Sequence, residues 1–233
     1  MSRSDRNLHI LNIVTAGLLM IATTLVFFYA PREVTMGDVQ RIFYFHVPSG
    51  WVAGLAFLTT LVAGVAYLRT RDRKWDLVGA ASVEIGIVFG LMNAVTGAIW
   101  ARPIWNTWWT WDPRLTTVTI TLLIYAAYFM LRAGIEDPER RARFAAVYGI
   151  VSFVSVPITY FSIQLARSIH PVLFGPNNPT AQGDSALTPR MLQTFLFCLF
   201  TFTVLFANLL WHRLRLQRLS DRVEQLKARF LSV

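Results

Sequence analysis

The residues that could do chemistry in this chain are aromatic before they are anything else. Eight tryptophans occur in 233 residues, and five of them, Trp100, Trp105, Trp108, Trp109 and Trp111, fall within one short segment. The segment reads Trp105-Asn106-Thr107-Trp108-Trp109-Thr110-Trp111-Asp112-Pro113-Arg114-Leu115. Indole joins a broad apolar face to one N–H donor, so such a cluster suits either the membrane–water boundary or a flat aromatic ligand. A boundary belt needs one or two rings per helix end. Four rings crowded together and closed by Asp-Pro-Arg read better as a platform for a ligand.

Two histidines share features with that platform. His46 lies in Ile42-Phe43-Tyr44-Phe45-His46-Val47-Pro48, and His170 lies in Ser168-Ile169-His170-Pro171. Each is flanked by apolar residues and followed closely by proline. Singly, each suits an ordinary polar position at a helix end; together, two neutral imidazoles could fill both axial positions of one haem iron. Zinc fits less well, because it wants three or four ligands and no His-x-x-x-His or Glu spacing is present. Cys198 is the one cysteine, so no Cys-x-x-Cys-His attachment is possible and any haem would be a non-covalent haem b. Arg32, Arg41, Arg102, Arg114, Arg167 and Arg190 are candidates for pairing with carboxylates.

These residues must be positioned by membrane helices. Hydrophobic residues make up 55% of the sequence and charged residues 15%, and the apolar runs reach the roughly 20 residues a bilayer crossing needs. Six spans are expected: Ile10 to Ala30, Pro48 to Leu68, Leu77 to Ile99, Leu115 to Leu131, Ala145 to Leu165 and Pro189 to Trp211. The run Phe27-Phe28-Tyr29-Ala30-Pro31 does not resemble a signal-peptide cleavage site. Sixteen of the 22 Lys and Arg residues fall at the termini and in the loops on their side. Positive charge accumulates on the cytoplasmic side, so the expected fold is an all-α membrane protein, a six-transmembrane-helix bundle with both termini cytoplasmic. The segments about 31–47, 100–114 and 166–188 are then external together. A formal charge of +9 is explained by topology and does not call for nucleic acid. Residues 1–233 read as one domain.

Within the spans, Gly50 with Gly54, and Gly86 with Gly90 and Gly97, have spacings that suit close helix packing. Glu84 is a carboxylate inside an apolar span with no basic partner in that span; it reads equally as a functional group or as a protonated hydrogen-bonding one. Asn93 and Asn208 read as interhelical hydrogen bonds. His9 and His212 lie among arginines at the cytoplasmic edge. Beyond the last span, Leu214, Leu219, Val223, Leu226 and Phe230 recur among arginines as a basic amphipathic tail, about 212–233. It suits either the lipid surface or a cytoplasmic partner.

Taken together, Phe43-Tyr44-Phe45-His46-Val47-Pro48, Thr96-Gly97-Ala98-Ile99-Trp100, the tryptophan motif and a His before the sixth span resemble a known family. It is the haem-handling protein C of the cytochrome c maturation system, within the wider tryptophan-rich haem-handling superfamily. The resemblance covers nearly the whole chain. It implies that His46 and His170 are the axial haem ligands, and that Trp105, Trp108, Trp109, Trp111 and Asp112 bind haem and present it to a periplasmic haem chaperone. It also implies an ATP-binding subunit of the ABC type, a second membrane subunit and a small single-span subunit, in the bacterial plasma membrane. One departure is Asn106, where the family usually carries Gly.

Two other functions remain open at this level. A transmembrane b-type cytochrome oxidoreductase would need a second haem near the inner side, where only His9 and His212 lie. A transporter moving haem through the bilayer would need a polar path, for which Glu84 and Asn93 are the hints. The sequence carries no Gly-x-x-x-x-Gly-Lys-Ser/Thr, so it has no phosphate-binding loop of that kind and points to no catalytic activity of its own.

Overall fold

The computed structural model describes residues 3–165, 170 and 187–231. Seven α-helices follow in order: α1 (Arg3–Thr24), α2 (Phe43–Thr70), α3 (Arg73–Trp105), α4 (Pro113–Ala133), α5 (Pro138–Ser152), α6 (Ser155–Leu165) and α7 (Pro189–Leu231). A π-helical turn, Leu25–Tyr29, prolongs α1, and a 3-10 turn, Asp38–Ile42, leads into α2. With α5 and α6 forming one crossing, six segments are long and apolar enough to span a membrane. No strand occurs among the described residues. That follows from chemistry, since helices satisfy their own backbone hydrogen bonds where water is absent.

Caps and turns set the helix ends. Arg71 closes α2 in the left-handed conformation at φ 56°, and the Asp72 carboxylate starts α3 by accepting from the Lys74 N–H at 2.9 Å. Asp137 caps α5 in the same way at 2.7 Å from Arg140 N, with Pro138 at the first helical position, where its missing N–H costs nothing.

Helix α2 is the hub, packing on α3, α5 and α7. Phe57 of α2 stacks on Tyr125 of α4 with centroids 3.6 Å apart, and it fits because Gly86 of α3 has no Cβ; one added there would lie 2.5 Å from the Phe57 ring. The small-residue spacing therefore serves packing at Gly86, and at Gly90 against Leu122, while Gly54 has nothing nearby. Helices α1 and α7 run antiparallel, with Asn208 donating to Thr15 Oγ1 at 3.0 Å. Asn208 is thus an interhelical hydrogen bond, as its type suggested.

Three details refine the expectations. The fifth crossing is not one helix, because it breaks at Phe153–Val154 between α5 and α6; Pro157, which has no N–H to donate, follows directly. Below the break α5 packs on α2 and α4, whereas above it α6 packs chiefly on α4, leaving space between α6 and α2. Secondly, the span that holds Glu84 offers it no basic partner, as read, but α7 does: Arg213 makes a bidentate pair with it, Nη2 lying 2.8 Å from Oε1. An ion pair with both side chains one-third or more exposed costs far less than a lone buried carboxylate. Finally, the C-terminal tail is not a separate surface helix but the unbroken continuation of α7.

Candidate haem-handling site

The space above the break is a cavity of about 650 Å³, lined from α2, α3, α4, α6 and α7. His46 and His170 both line it, together with Trp105, Trp108, Trp109 and Arg114. Trp111 and Asp112 do not line it, although both belong to the same loop. The expected external segment 166–188 lies outside the described residues except for His170, Leu187 and Thr188.

His46 sits in the first turn of α2 rather than in a loop, because helical structure begins at Phe43. Its ring faces one turn of α3. Nδ1 lies 3.0 Å from the backbone carbonyl of Asn93 and 3.2 Å from Thr96 Oγ1. A carbonyl only accepts, so Nδ1 carries the proton and Nε2 keeps its lone pair. The Asn93 amide donates back to the His46 carbonyl at 2.8 Å, joining α2 to α3. Gly97 completes this cradle, since a Cβ there would sit 2.8 Å from His46 Cε1. Trp100 meets the ring edge-on at 5.7 Å.

Across the cavity, His170 is held by the tryptophan loop. Its Nδ1 lies 3.5 Å from Asp112 Oδ2, and its ring is tilted against Trp105 at 6.5 Å. Burial pushes the imidazole below its usual range, against the pull of Asp112; the ring is therefore neutral near pH 7 and keeps a lone pair for a metal. Asp112 has a second task. Its other oxygen accepts from Leu115 N at 2.9 Å and caps α4, with Pro113 at the first position. One carboxylate thus fixes both the start of α4 and the side chain of His170.

The loop itself is short, because α3 continues to Trp105 and takes Trp100 and Arg102 into the helix. It then reverses at Asn106, which adopts φ 55° in the left-handed region. Glycine suits that conformation best and asparagine next. Arg102 holds the turn, its Nη1 donating to the Asn106 carbonyl at 3.0 Å and also to the Asn106 side chain. Trp109 and Trp111 meet edge-to-face at 5.7 Å, with Trp108 and Trp111 strongly exposed at 58% and 72%. Arg114 does not reach outward; its Nη1 donates to the Thr159 and Tyr160 carbonyls at 2.6 and 3.3 Å and ties α4 to α6.

Three further groups at the cavity wall are buried without a partner among the described residues: the Trp100 and Trp109 indole N–H groups and the Thr110 hydroxyl. An unmet buried donor is costly, so such groups await a ligand or water. Elsewhere, His212 pairs with Asn12 at 2.7 Å and has no place in the cavity wall; Glu84 is likewise absent from it.

A family model described as heme exporter protein C matches residues 1–229. The chain belongs to the heme exporter protein C family. Among individual members, heme exporter protein C of Bradyrhizobium diazoefficiens is 32% identical over 198 residues, covering 85% of this chain and 74% of the relative. The family's protein from Escherichia coli strain K12 is 30% identical over 190 residues, 81% of this chain and 74% of the relative. That of Rhodobacter capsulatus is 30% identical over 220 residues, 93% and 89% of the two chains. Membership agrees with six segments long and apolar enough to span a membrane. Sequence reasoning missed the supports around the two histidines. Thr96 and Gly97 were visible beside Trp100, and Asp-Pro before an apolar run is an N-cap signal; Asn93 read as an interhelical hydrogen bond, which it makes, but its partner His46 lies 47 positions away and could not be named.

Proposed function

We propose that this protein serves haem export for cytochrome c maturation by holding haem at the end of the bundle opposite its termini and handing it on. His46 and His170 are the axial ligands, and Trp105, Trp108, Trp109 and Trp111 form the aromatic surface around the macrocycle. Asp112 orients His170, and Arg114 holds the α4–α6 wall. The observation that carries this reading is that two neutral-imidazole side chains, from α2 and from beyond α6, line a single cavity. Its volume, about 650 Å³, lies within the range of cofactor pockets. The donor set fits the group. Each histidine has Nδ1 facing an acceptor oxygen, the arrangement that orients metal-bound imidazole and raises its basicity. The unmet Trp109 N–H supplies a donor for a polar edge.

Bound haem b would contribute an iron that accepts two nitrogen ligands; the protein contributes orientation and exclusion of water. The exposed Trp108 and Trp111 then form the face shown to a haem chaperone. By the positive-inside rule the termini are cytoplasmic, the tryptophan loop is periplasmic and the membrane is the bacterial inner membrane. The chain acts as a single six-span unit beside an ABC-type ATP-binding subunit, a second membrane subunit and a small single-span subunit. The transporter alternative has less support, since Glu84 is paired with Arg213 and lies off the cavity wall. The experiment is titration of the purified protein with haem. One haem per chain with a six-coordinate low-spin spectrum is expected, and saturation at two haems would favour the oxidoreductase instead.

A further inference from the structure

The cavity reaches far below its two histidines. Its lowest lining residues are Leu58 on α2, Gly90 on α3, Leu122 on α4 and Phe153 at the break between α5 and α6, and each stands near the middle of its apolar span. At ~1.5 Å per residue, the α2 wall from His46 to Leu58 is about 18 Å long and the α6 wall from Phe153 to Gln164 about 16 Å. The hydrocarbon of a single leaflet, half of the bilayer core, is about 15 Å deep. A chamber that begins at the tryptophan loop and ends at the middle of four spans therefore has the depth of one leaflet.

It is also open on one side. Helix α6 packs chiefly on α4 and leaves a gap towards α2. The wall residues at the edges of that gap, Trp51 and Leu58 on α2 and Phe161 on α6, are 49%, 41% and 47% exposed. At the depth of these residues the gap faces lipid chains rather than water.

The two halves of the wall differ in chemistry. His46, His170, Arg114 and the unmet groups of Trp100, Trp109 and Thr110 all stand at the loop end. Lower down, the Thr121 hydroxyl is met by that of Thr159 at 2.9 Å and the Trp51 N–H by Thr203 Oγ1 at 3.0 Å. Among the described residues, no buried polar side chain of the lower wall lacks a partner. Water needs several polar partners to settle in such a space, and an empty one forfeits dispersion contacts. Hydrocarbon has neither difficulty.

We propose that the lower half of the cavity is a binding site for one acyl chain of a phospholipid, drawn from the leaflet on the tryptophan-loop side. The chain enters between α2 and α6 and sets its methyl end against Leu58, Leu122 and Phe153. It supplies the wall that those two helices leave open, and so keeps water from the histidine end. Gly54 leaves room for it, since a Cβ added there would meet nothing within 4 Å although the residue lines the cavity.

The test uses the full-length protein without haem, so its outcome is separate from that of the haem titration. Nanodiscs of phosphatidylcholine carry a photoreactive phosphatidylcholine with a diazirine at the methyl end of a palmitoyl chain, and adducts are mapped by mass spectrometry after illumination. Leu122 and Val156, half-buried in the cavity wall, should be labelled. Leu123 and Val151 lie at a similar depth on the outer surface, 65% and 66% exposed, and report contact with bulk lipid. Gly54→Phe should abolish the interior adducts and leave the outer ones and the thermal midpoint unchanged. Moving the diazirine beside the ester should carry the interior labelling up to Val47 and Phe161. Labelling of Leu123 and Val151 alone in the wild type overturns the proposal, as do interior adducts that Gly54→Phe leaves at their wild-type level.

Discussion

The two sides of the cavity are built by different means. On one side His46 projects from a helix, and its ring is received by a single turn of α3 through the Asn93 carbonyl, the Thr96 hydroxyl and the space left by Gly97. Helix–helix packing sets its position before any ligand arrives. On the other side His170 stands outside any helix and is oriented by a carboxylate 3.5 Å away that also caps α4. There, loop geometry and a helix terminus do the positioning. One histidine is thus made rigid by close approach of backbones, and the other by the tryptophan loop that also faces outward. Displacing haem should therefore begin on the His170 side, where the holding contacts belong to the surface a recipient would touch.

The largest effect should come from closing the His46 cradle. Gly97→Val places atoms where the imidazole now lies, and haem affinity should fall by about 10- to 100-fold, the range for disturbed support of a metal ligand. Gly17→Ala is the control, because a Cβ there meets nothing; its haem content should be unchanged. Retention of haem by Gly97→Val with an unaltered spectrum would break the distinction between the two sides.

A middle effect is expected at Asp112, and it can be divided. Asp112→Asn keeps an N-cap of equal quality but removes the carboxylate beside His170, so the thermal midpoint should hold while haem affinity drops by about 10-fold. Asp112→Ala should lose both, with about 1 kcal/mol of stability removed with the cap. Equal haem affinity in the wild type and both variants would show that His170 needs no such support. The smallest effect belongs to the turn. Asn106→Gly should change stability by no more than about 0.5 kcal/mol, because the position already has φ 55°. Arg102→Ala should lower the midpoint slightly and loosen the tryptophan loop, read as a change in tryptophan emission.

Much of this was legible in the sequence, and the rest was hidden for physical reasons. Six apolar runs, two histidines and a dense tryptophan motif are local properties, so they could be read directly. Supports that act across the fold could not: Asn93 finds His46 only once α2 and α3 pack, and Arg213 finds Glu84 from the far end of the chain. Arg114 looked free to reach a ligand carboxylate, yet the carbonyls of α6 take its Nη1. The break at Phe153–Val154 lies in an unbroken apolar run, and only Pro157 hints at it. Its consequence, the cavity itself, is tertiary. The tail read as an amphipathic helix, and periodicity does not reveal whether a helix continues the one before it, as α7 does to Leu231.

The central claim is that His46 and His170 share one iron, and the spectrum of the haem-loaded protein tests it most directly. The intact protein should be six-coordinate and low-spin. Changing either His46 or His170 to Ala should weaken haem retention and shift the spectrum, and added imidazole should restore it by filling the opened position. His9→Ala and His212→Ala should leave the spectrum as it was. An unchanged low-spin spectrum with undiminished haem in both His46→Ala and His170→Ala would contradict the account.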